Sequence, residues 1–328
     1  MEAPRICTIV PTYRRPALLR RALESVLVQT YPHFEVRVYD NASGDETAEV
    51  VHELAGKDSR IRYKCHPENL GMVANFNYGL GEVDTPLFNL LSDDDVLLPR
   101  FFETALRWLA QYPEAMAFAG GVLWRDLEGR PLRAPAKDWP PGLYQPPAVL
   151  LSMLQLGVPL WTGMLLRAEV LKTLGGLDAQ VAASDLDFEL RLAARFPLVV
   201  AADPCACFTV HPGSSTRNIP PGEIRRVLAH VERSLGAMPE LAAAGRRQAR
   251  RAWRAGRRRL LGWYTHELQH QALLALARGD RRAARQKLAE AAVATPLRPR
   301  LLLRLARTFL PLKIARALSG KTGRGMRP

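Results

Sequence analysis

The sequence predicts an α/β protein, a mostly parallel mixed sheet flanked by helices, followed by a helical and strongly basic C-terminal region. Three observations carry this expectation. Over the first 100 residues short apolar runs alternate with helix-period segments, the pattern that builds a parallel sheet through crossover connections. Hydrophobic residues make up 48% of the 328, enough for a sizeable core and too many for bulk disorder. Charge is uneven: residues 223–328 carry 25 Lys and Arg against 6 Asp and Glu, whereas the preceding residues carry 21 against 26.

Ile6–Val10 reads as a first strand, ended by Pro11-Thr12-Tyr13-Arg14, and Pro16 opens a helix through Ala22, Val26 and Leu27. Phe34–Tyr39 alternates as a second strand and ends at Asp40-Asn41-Ala42-Ser43-Gly44-Asp45, where Asp45 suits a cap for a helix over Glu46–Leu54. Ile61–Cys65 is a third strand, and Asn69-Leu70-Gly71 leads into a helix from Met72 to Gly79. Pro86–Leu91 is a buried-type strand that stops in Ser92-Asp93-Asp94-Asp95. Beyond it come a helix over Phe101–Trp108, a strand over Ala115–Ala119 and a polar Pro-rich loop over Arg125–Pro141. Gly175-Gly176 stops a helix over Glu169–Leu174, Asp185 stands where a further helix starts, and Val199–Ala202 and Cys205–Val210 read as two last strands. From Ile224 onward the pattern is helical.

Several classes are disfavoured. No G-x-G-x-x-G follows the first strand and no G-x-x-x-x-G-K-[ST] occurs, so phosphate binding has no Gly-rich cradle to rest on. No N-terminal signal is read, and no run of about 18 uncharged apolar residues suggests a spanning helix. Leu143–Leu166 comes nearest, but Pro146, Pro147 and Pro159 argue against one continuous helix. Of Cys7, Cys65, Cys205 and Cys207 only the last two are close, and buried reduced thiols are the better reading.

The acidic triplet is the first functional candidate. In open α/β sheets ligands bind beyond the carboxyl ends of strands. Two carboxylates about 4 Å apart repel by about 4 kcal/mol at an effective dielectric near 20. A hard divalent cation, Mg2+ or Mn2+, turns that repulsion into coordination and bridges to phosphate. The competing reading is a solvated acidic turn capping the helix that starts near Pro99.

These stretches occur in series with Asn75, Asn77-Tyr78-Gly79, Gly175-Gly176-Leu177-Asp178, Asp185-Leu186-Asp187-Phe188-Glu189-Leu190-Arg191 and His211-Pro212-Gly213-Ser214. Together, over about residues 5–216, they resemble the inverting glycosyltransferases of family 2. The resemblance implies the Rossmann-like GT-A fold over residues 1–216, with a nucleotide-sugar half over 1–97 and an acceptor half over 98–216. It implies that Pro11, Thr12, Tyr13, Arg14, Asp40, Asn69, Asn75, Asp93 and Asp94 bind the nucleotide-sugar, with Asp40 accepting from a pyrimidine N–H. It implies metal contact by Asp95, with Asp93 and His211 as further ligands, and Asp185 as catalytic base. Trp161–Leu166 is similar to a strand of the family. Ser92 and Ser184 depart from acids common in the family. Asp187 and Arg191, four apart, read as a structural ion pair. The implied donor is a UDP- or dTDP-sugar rather than a GDP-sugar, and the acceptor a lipid-linked or cell-envelope glycan. A nucleotide-sugar-binding protein without turnover is the alternative.

Residues 217–328 read as a separate helical region. Residues 263–296 have the length and small-residue spacing of a tetratricopeptide hairpin, and 301–318 form an amphipathic cationic helix suited to an anionic bilayer surface. The expectation is a cytoplasmic protein, with peripheral attachment to the inner face of the cell membrane. Nucleic acid is disfavoured, since the tail lacks the aromatic interleaving of a single-strand binder.

Overall fold

A computed structural model describes residues 3–132, 139–181, 183–211, 213–214 and 222–294. Its first half runs β1 (Ile6–Thr12), α1 (Pro16–Leu27), β2 (Phe34–Asp40), α2 (Thr47–Ala55), β3 (Ile61–Cys65), α3 (Met72–Gly81) and β4 (Leu87–Leu90). There follow β5 (Val96–Leu97), α4 (Phe101–Gln111), β6 (Ala117–Arg125), β7 (Pro131–Leu132), β8 (Gly142–Tyr144) and α5 (Ala148–Leu156). A 3-10 turn at Trp161–Gly163 then precedes β9 (Met164–Arg167), α6 (Glu169–Leu174), α7 (Ser184–Arg195) and β10 (Leu198–Thr209). The basic region adds α8 (Glu223–Ala237), α9 (Ala243–Ala277) and α10 (Arg281–Ala294).

Among the described residues the strands form one sheet in the order β3-β2-β1-β4-β9-β6-β10-β5, with β7 beside β6 and β8 beside β10. Strands β1 to β4 pair parallel, β9 runs against both β4 and β6, and β6 pairs parallel with β10. Two reversals restore the direction, so β6 and β10 point the same way as β1 and β4. The carboxyl ends of β1, β2, β4 and β10 therefore share one edge. From β1 the chain steps outward to β2 and β3 and then returns to β4 on the other side of β1. That reversal of strand order is where open α/β sheets leave a crevice.

Strands β1 and β4 are mainly apolar because both faces are covered, whereas β2 also encloses Glu35, Arg37 and Asp40 and the edge strand β3 is largely exposed. Every residue of β1 and β2 is buried. Leu19, Ala22, Leu23 and Val26 form the buried stripe of α1 at helix spacing, and α4 buries Phe101, Phe102, Ala105 and Leu109. Asp45, expected to cap the next helix, stands one residue before the actual N-cap Glu46, and its carboxylate accepts from the Thr47 N–H at 3.0 Å and from the Thr47 hydroxyl at the start of α2. Gly79 lets α3 approach the sheet, since a Cβ there would lie 2.5 Å from Ile9 Cγ2 and 2.9 Å from Tyr39 Cε2. Gly175 ends α6 with φ 66°, a conformation glycine adopts without steric cost.

Four expectations change. The strand expected over Trp161–Leu166 opens as a 3-10 turn, and β9 begins only at Met164. The strand expected to end at Ala119 runs to Arg125, and its hairpin to β7 takes in part of the stretch read as a loop. The two last strands are one: β10 continues through Asp203-Pro204 with register shifts between Val200 and Ala206. A bulge accommodates Pro204 within the continuous strand. Cys7, Cys205 and Cys207 are buried thiols, but Cys65 is exposed.

The chain divides into two compact units, residues 1–214 with 230–253, and 215–229 with 254–328. This differs from the 216/217 boundary that the family resemblance implies. Within the first unit His230 bonds Asp187 at 2.7 Å, Arg195 pairs with Glu240 at 2.7 Å, and Trp253 is buried. In the second unit α9 from Arg254 onward and α10 make a helical hairpin turning at Gly279. Tyr264 hydrogen-bonds Glu290, Ala284, Leu288 and Ala291 are buried, and Asp280 caps α10 through the Ala283 N–H at 2.9 Å. The expected amphipathic helix over 301–318 lies outside the described residues, and among those described no helix is long and apolar enough to cross a membrane.

Candidate active site

The β1–α1 loop, the turn after β4 and the end of β10 meet at the shared edge. Thr12, the last residue of β1, donates its hydroxyl to Asp93 Oδ2 at 2.8 Å. Arg15 Nη1 donates to Asp93 Oδ1 at 3.1 Å and to Asp94 Oδ2 at 3.0 Å, and Nη2 donates to the Gly213 carbonyl at 2.9 Å. Asp94 Oδ2 also lies 3.0 Å from His211 Nε2. Gly213 N–H donates to His211 Nδ1 at 3.2 Å, which assigns the ring proton to Nε2, facing the carboxylate. The triplet is thus turned inward, not into bulk solvent as a surface capping turn would be.

Asp95 has a different environment from its neighbours. Its Oδ2 accepts from the Thr162 hydroxyl at 2.6 Å and its Oδ1 from the Thr209 N–H at 2.8 Å, and the residue is only 1% exposed. Asn89 on β4 holds the turn that presents Thr162, donating to the Met164 carbonyl at 2.9 Å. Burial, reinforced by the charge of Asp94, raises the Asp95 carboxyl to about 7. Burial also raises Asp93, to about 6, although Arg15 and the Thr12 hydroxyl pull it down. Both oxygens of Asp95, the residue expected to contact the metal directly, are engaged in protein bonds that tie β10 to the turn after β4.

The expected nucleotide residues divide into two groups. Pro11 and Thr12 are buried at the end of β1, whereas Tyr13 and Arg14 are exposed and Arg14 stacks on the Tyr13 ring at 5.1 Å. Asp40, at the end of β2, accepts from the Ser43 N–H at 2.9 Å and from the Tyr63 hydroxyl at 2.6 Å, the latter bond and burial together raising the Tyr63 pKa. Asn69 accepts from Asn41 Nδ2 at 2.9 Å and from the Gly71 N–H at 2.8 Å, shaping the loop beyond β3. Asn75 is 3% exposed and joins the Tyr39 carbonyl to His66, at 2.9 and 3.0 Å. Its bonds are those of a brace between α3 and the strand ends.

Asp185 lies in the first turn of α7, beyond the left-handed Ala183 (φ 59°), and is exposed. Its Oδ1 accepts from the Leu186 N–H at 2.8 Å, and desolvation by the surrounding protein raises its pKa. The helix begins at Ser184, so Asp185 is not its cap. Among the described residues Asp185 makes no hydrogen bond to the triplet. Asp187 is buried and pairs with Arg191 at 2.7 Å, as the four-residue spacing suggested, and with His230. Ala183 shares its backbone conformation with Arg14 (φ 55°) and Ala42 (φ 61°), so left-handed non-glycine residues occur in the segments bearing Thr12, Asp40 and Asp185. Such conformations concentrate at functional sites.

Sequence reasoning missed Arg15, Thr162 and Asn89. Each is unremarkable locally, and its role depends on partners 78, 67 and 75 positions away. No three His, Cys, Asp or Glu side chains among the described residues converge as a complete metal cage. Asp94 Oδ2 and His211 Nε2, at 3.0 Å, still fit a divalent ion once the ring proton moves from Nε2 to Nδ1 and the Gly213 N–H gives up that acceptor: adjacent octahedral ligands with bonds of about 2.1 Å stand about that far apart. Two protein donors completed by substrate phosphates are an ordinary arrangement for Mg2+, and the nitrogen suits Mn2+ as well.

A model described as glycosyl transferase family 2 matches residues 7–175. Among curated relatives, the glycosyltransferase GlyA of Streptococcus pneumoniae is 30% identical over 125 residues, 38% of this chain and 18% of its own length. A GalNAc(5)-diNAcBac-PP-undecaprenol beta-1,3-glucosyltransferase of Campylobacter jejuni is 34% identical over 105 residues, 32% of this chain and 34% of its own. The matches to these and to an uncharacterized glycosyltransferase of Haemophilus influenzae span from 18% to 53% of the relatives' lengths. The crystal structure of S. aureus TarS in complex with UDP-GlcNAc superposes with a TM-score of 0.63 at 16% identity, covering 88% of this chain and 91% of that one. The mannosyltransferase PcManGT of Pyrobaculum calidifontis, in complex with GDP-Man and Mn2+, gives 0.55 at 19% identity over 99% and 89%. These likenesses bear out the GT-A fold, and with the matched residues they establish that this chain is a glycosyltransferase belonging to family 2.

Proposed function

We propose that this glycosyltransferase is metal-dependent and inverting, moving a sugar from a nucleotide-diphospho-sugar to a hydroxyl of a lipid-linked or cell-envelope glycan. The observation that carries the donor half is the meeting of Asp93, Asp94 and His211 at the point where strand order reverses. Asp94 and His211, rather than the enclosed Asp95, are the protein ligands of this reading. Those two side chains would hold Mg2+ or Mn2+, which would supply the Lewis-acid neutralisation of charge on the departing diphosphate. Thr12 and Asp93 border the same crevice on the donor side, the exposed Tyr13 ring suits a pyrimidine base, UDP or dTDP, and Asp40, buried with its oxygens accepting from Ser43 and Tyr63, would exchange one of those bonds to accept from the base N–H. The bound UDP-GlcNAc and GDP-Man of the two structural neighbours support a nucleotide-sugar donor without choosing the base.

Asp185 is the proposed base. It is open to solvent yet desolvated enough for its pKa to rise, which moves a carboxylate toward useful basicity. It accepts the proton of the acceptor hydroxyl as that oxygen bonds to the anomeric carbon and the bond to the nucleotide diphosphate breaks. One such displacement inverts the configuration and requires no covalent enzyme intermediate. The undecaprenol-linked substrate in the Campylobacter relative's name supports an envelope-type acceptor. The cationic stretch from Arg246 to Arg259 supports docking on an anionic inner membrane face. The test is Asp185→Asn: nucleotide binding by calorimetry should persist while transfer, followed by release of nucleotide diphosphate, falls at least 100-fold. Near-normal turnover would remove Asp185 from the mechanism.

A further inference from the structure

Arg15 occupies the N-cap of α1, a position favouring Ser, Thr, Asp or Asn, and it makes no side-chain capping bond. The first turn of α1 has no acidic residue either. The side chain instead reaches the two carboxylates and the Gly213 carbonyl, and it is one-third exposed where Asp93 and Asp94 are 7% and 13%. The preceding turn is built to aim it. Arg14 is held left-handed (φ 55°), its N–H donating to Ser43 Oγ at 2.8 Å and its Nε to the Ser43 carbonyl at 3.0 Å. Pro16, the first helical residue, fixes the chain on the other side.

Arg15 and His211 converge on one atom, Asp94 Oδ2, each at 3.0 Å. An ion held by that oxygen and by His211 therefore competes with the guanidinium for the same lone pairs. The charges favour the exchange only when substrate is present. Asp93 and Asp94, with the enclosed Asp95 behind them, outweigh the one arginine and leave the bare site anionic, an excess that a divalent ion offsets. The diphosphate then restores a negative charge close to Arg15, whose planar fork matches phosphate oxygens.

Resting on the donor-site reading above, we propose that Arg15 is an exchangeable counter-ion: it occupies Asp94 in the empty enzyme and transfers to the donor diphosphate when metal and nucleotide enter. This makes Arg15 a positioning residue that couples metal binding to nucleotide binding and keeps the ion weakly held without substrate.

Manganese titrations of wild type, Arg15→Ala and Arg15→Lys, followed by the electron paramagnetic resonance of free Mn2+, test this without turnover. In the absence of nucleotide Arg15→Ala should bind Mn2+ about tenfold more tightly than wild type. In saturating Mn2+ its affinity for UDP, or for GDP if that is the better ligand, should fall about tenfold. Arg15→Lys keeps the charge but loses the fork, so about threefold tighter Mn2+ binding is expected, and it serves alone should the alanine variant not fold. Unchanged or weaker nucleotide-free Mn2+ binding in the folded variants, with wild-type Mn2+ binding intact in the presence of nucleotide, overturns the exchange and leaves the donor site standing. Failure of every protein to bind Mn2+ even with nucleotide removes the metal reading, and the exchange with it.

Discussion

Replacing Asp95 by Asn should stabilise the protein at neutral pH. Asp95 is 1% exposed and its carboxyl is carried from the ordinary 3.8 to about 7, chiefly by desolvation. The folded form thus holds a proton up to about pH 7 that the unfolded chain releases near pH 4. Stability therefore falls as pH rises across that window, and above it the buried charge costs about 4 kcal/mol. Asparagine carries no charge and keeps both bonds: its oxygen accepts from the Thr209 N–H, and its amide donates to a rotated Thr162 hydroxyl. It also removes the repulsion between the Asp95 and Asp93 carboxylates. Urea unfolding at pH 5, 6, 7 and 8 should show a variant more stable by about 2–4 kcal/mol at pH 8, with a flatter profile below pH 7. Lower stability at pH 8 with an unchanged slope refutes the burial argument. The same protein separates two ligand assignments: Mn2+ binding in the presence of nucleotide survives if Asp94 and His211 hold the ion, and disappears if Asp95 does.

Gly79→Ala should cost about 1–3 kcal/mol in urea unfolding, because the added methyl meets Ile9 and the Tyr39 ring between α3 and the sheet. Asn75→Ala leaves the Tyr39 carbonyl and His66 without their buried partner, and a loss of about 2 kcal/mol with nucleotide affinity reduced less than tenfold is expected; a selective loss of nucleotide affinity at full stability would make Asn75 a ligand contact instead. Mn2+ with nucleotide at 100 times its dissociation constant should add about 2.7 kcal/mol to unfolding free energy, reversed by EDTA, and no shift would count against the metal. Removing residues 295–328 should weaken flotation with phosphatidylglycerol vesicles, and unchanged partitioning would dissociate that segment from membrane docking.

Sequence alone determined the alternation of strands and helices, the acidic turn after β4, the ion pair Asp187–Arg191 and the kinship that implies the chemistry. These are local patterns or ordered series, legible because strand period, helix period and turn residues are written within a few positions of one another. Tertiary structure decided which carboxylate is enclosed and which is approachable. Asp93, Asp94 and Asp95 are consecutive and chemically alike, yet Thr12, Arg15, Thr162, Thr209 and His211 give each a different set of partners. It also decided that β10 survives its proline and that residues 230–253 join the first unit. The physical reason is common to all of these: desolvation and hydrogen-bond competition depend on atoms brought together by the parallel register of the sheet, and no local sequence pattern records which distant residue will arrive.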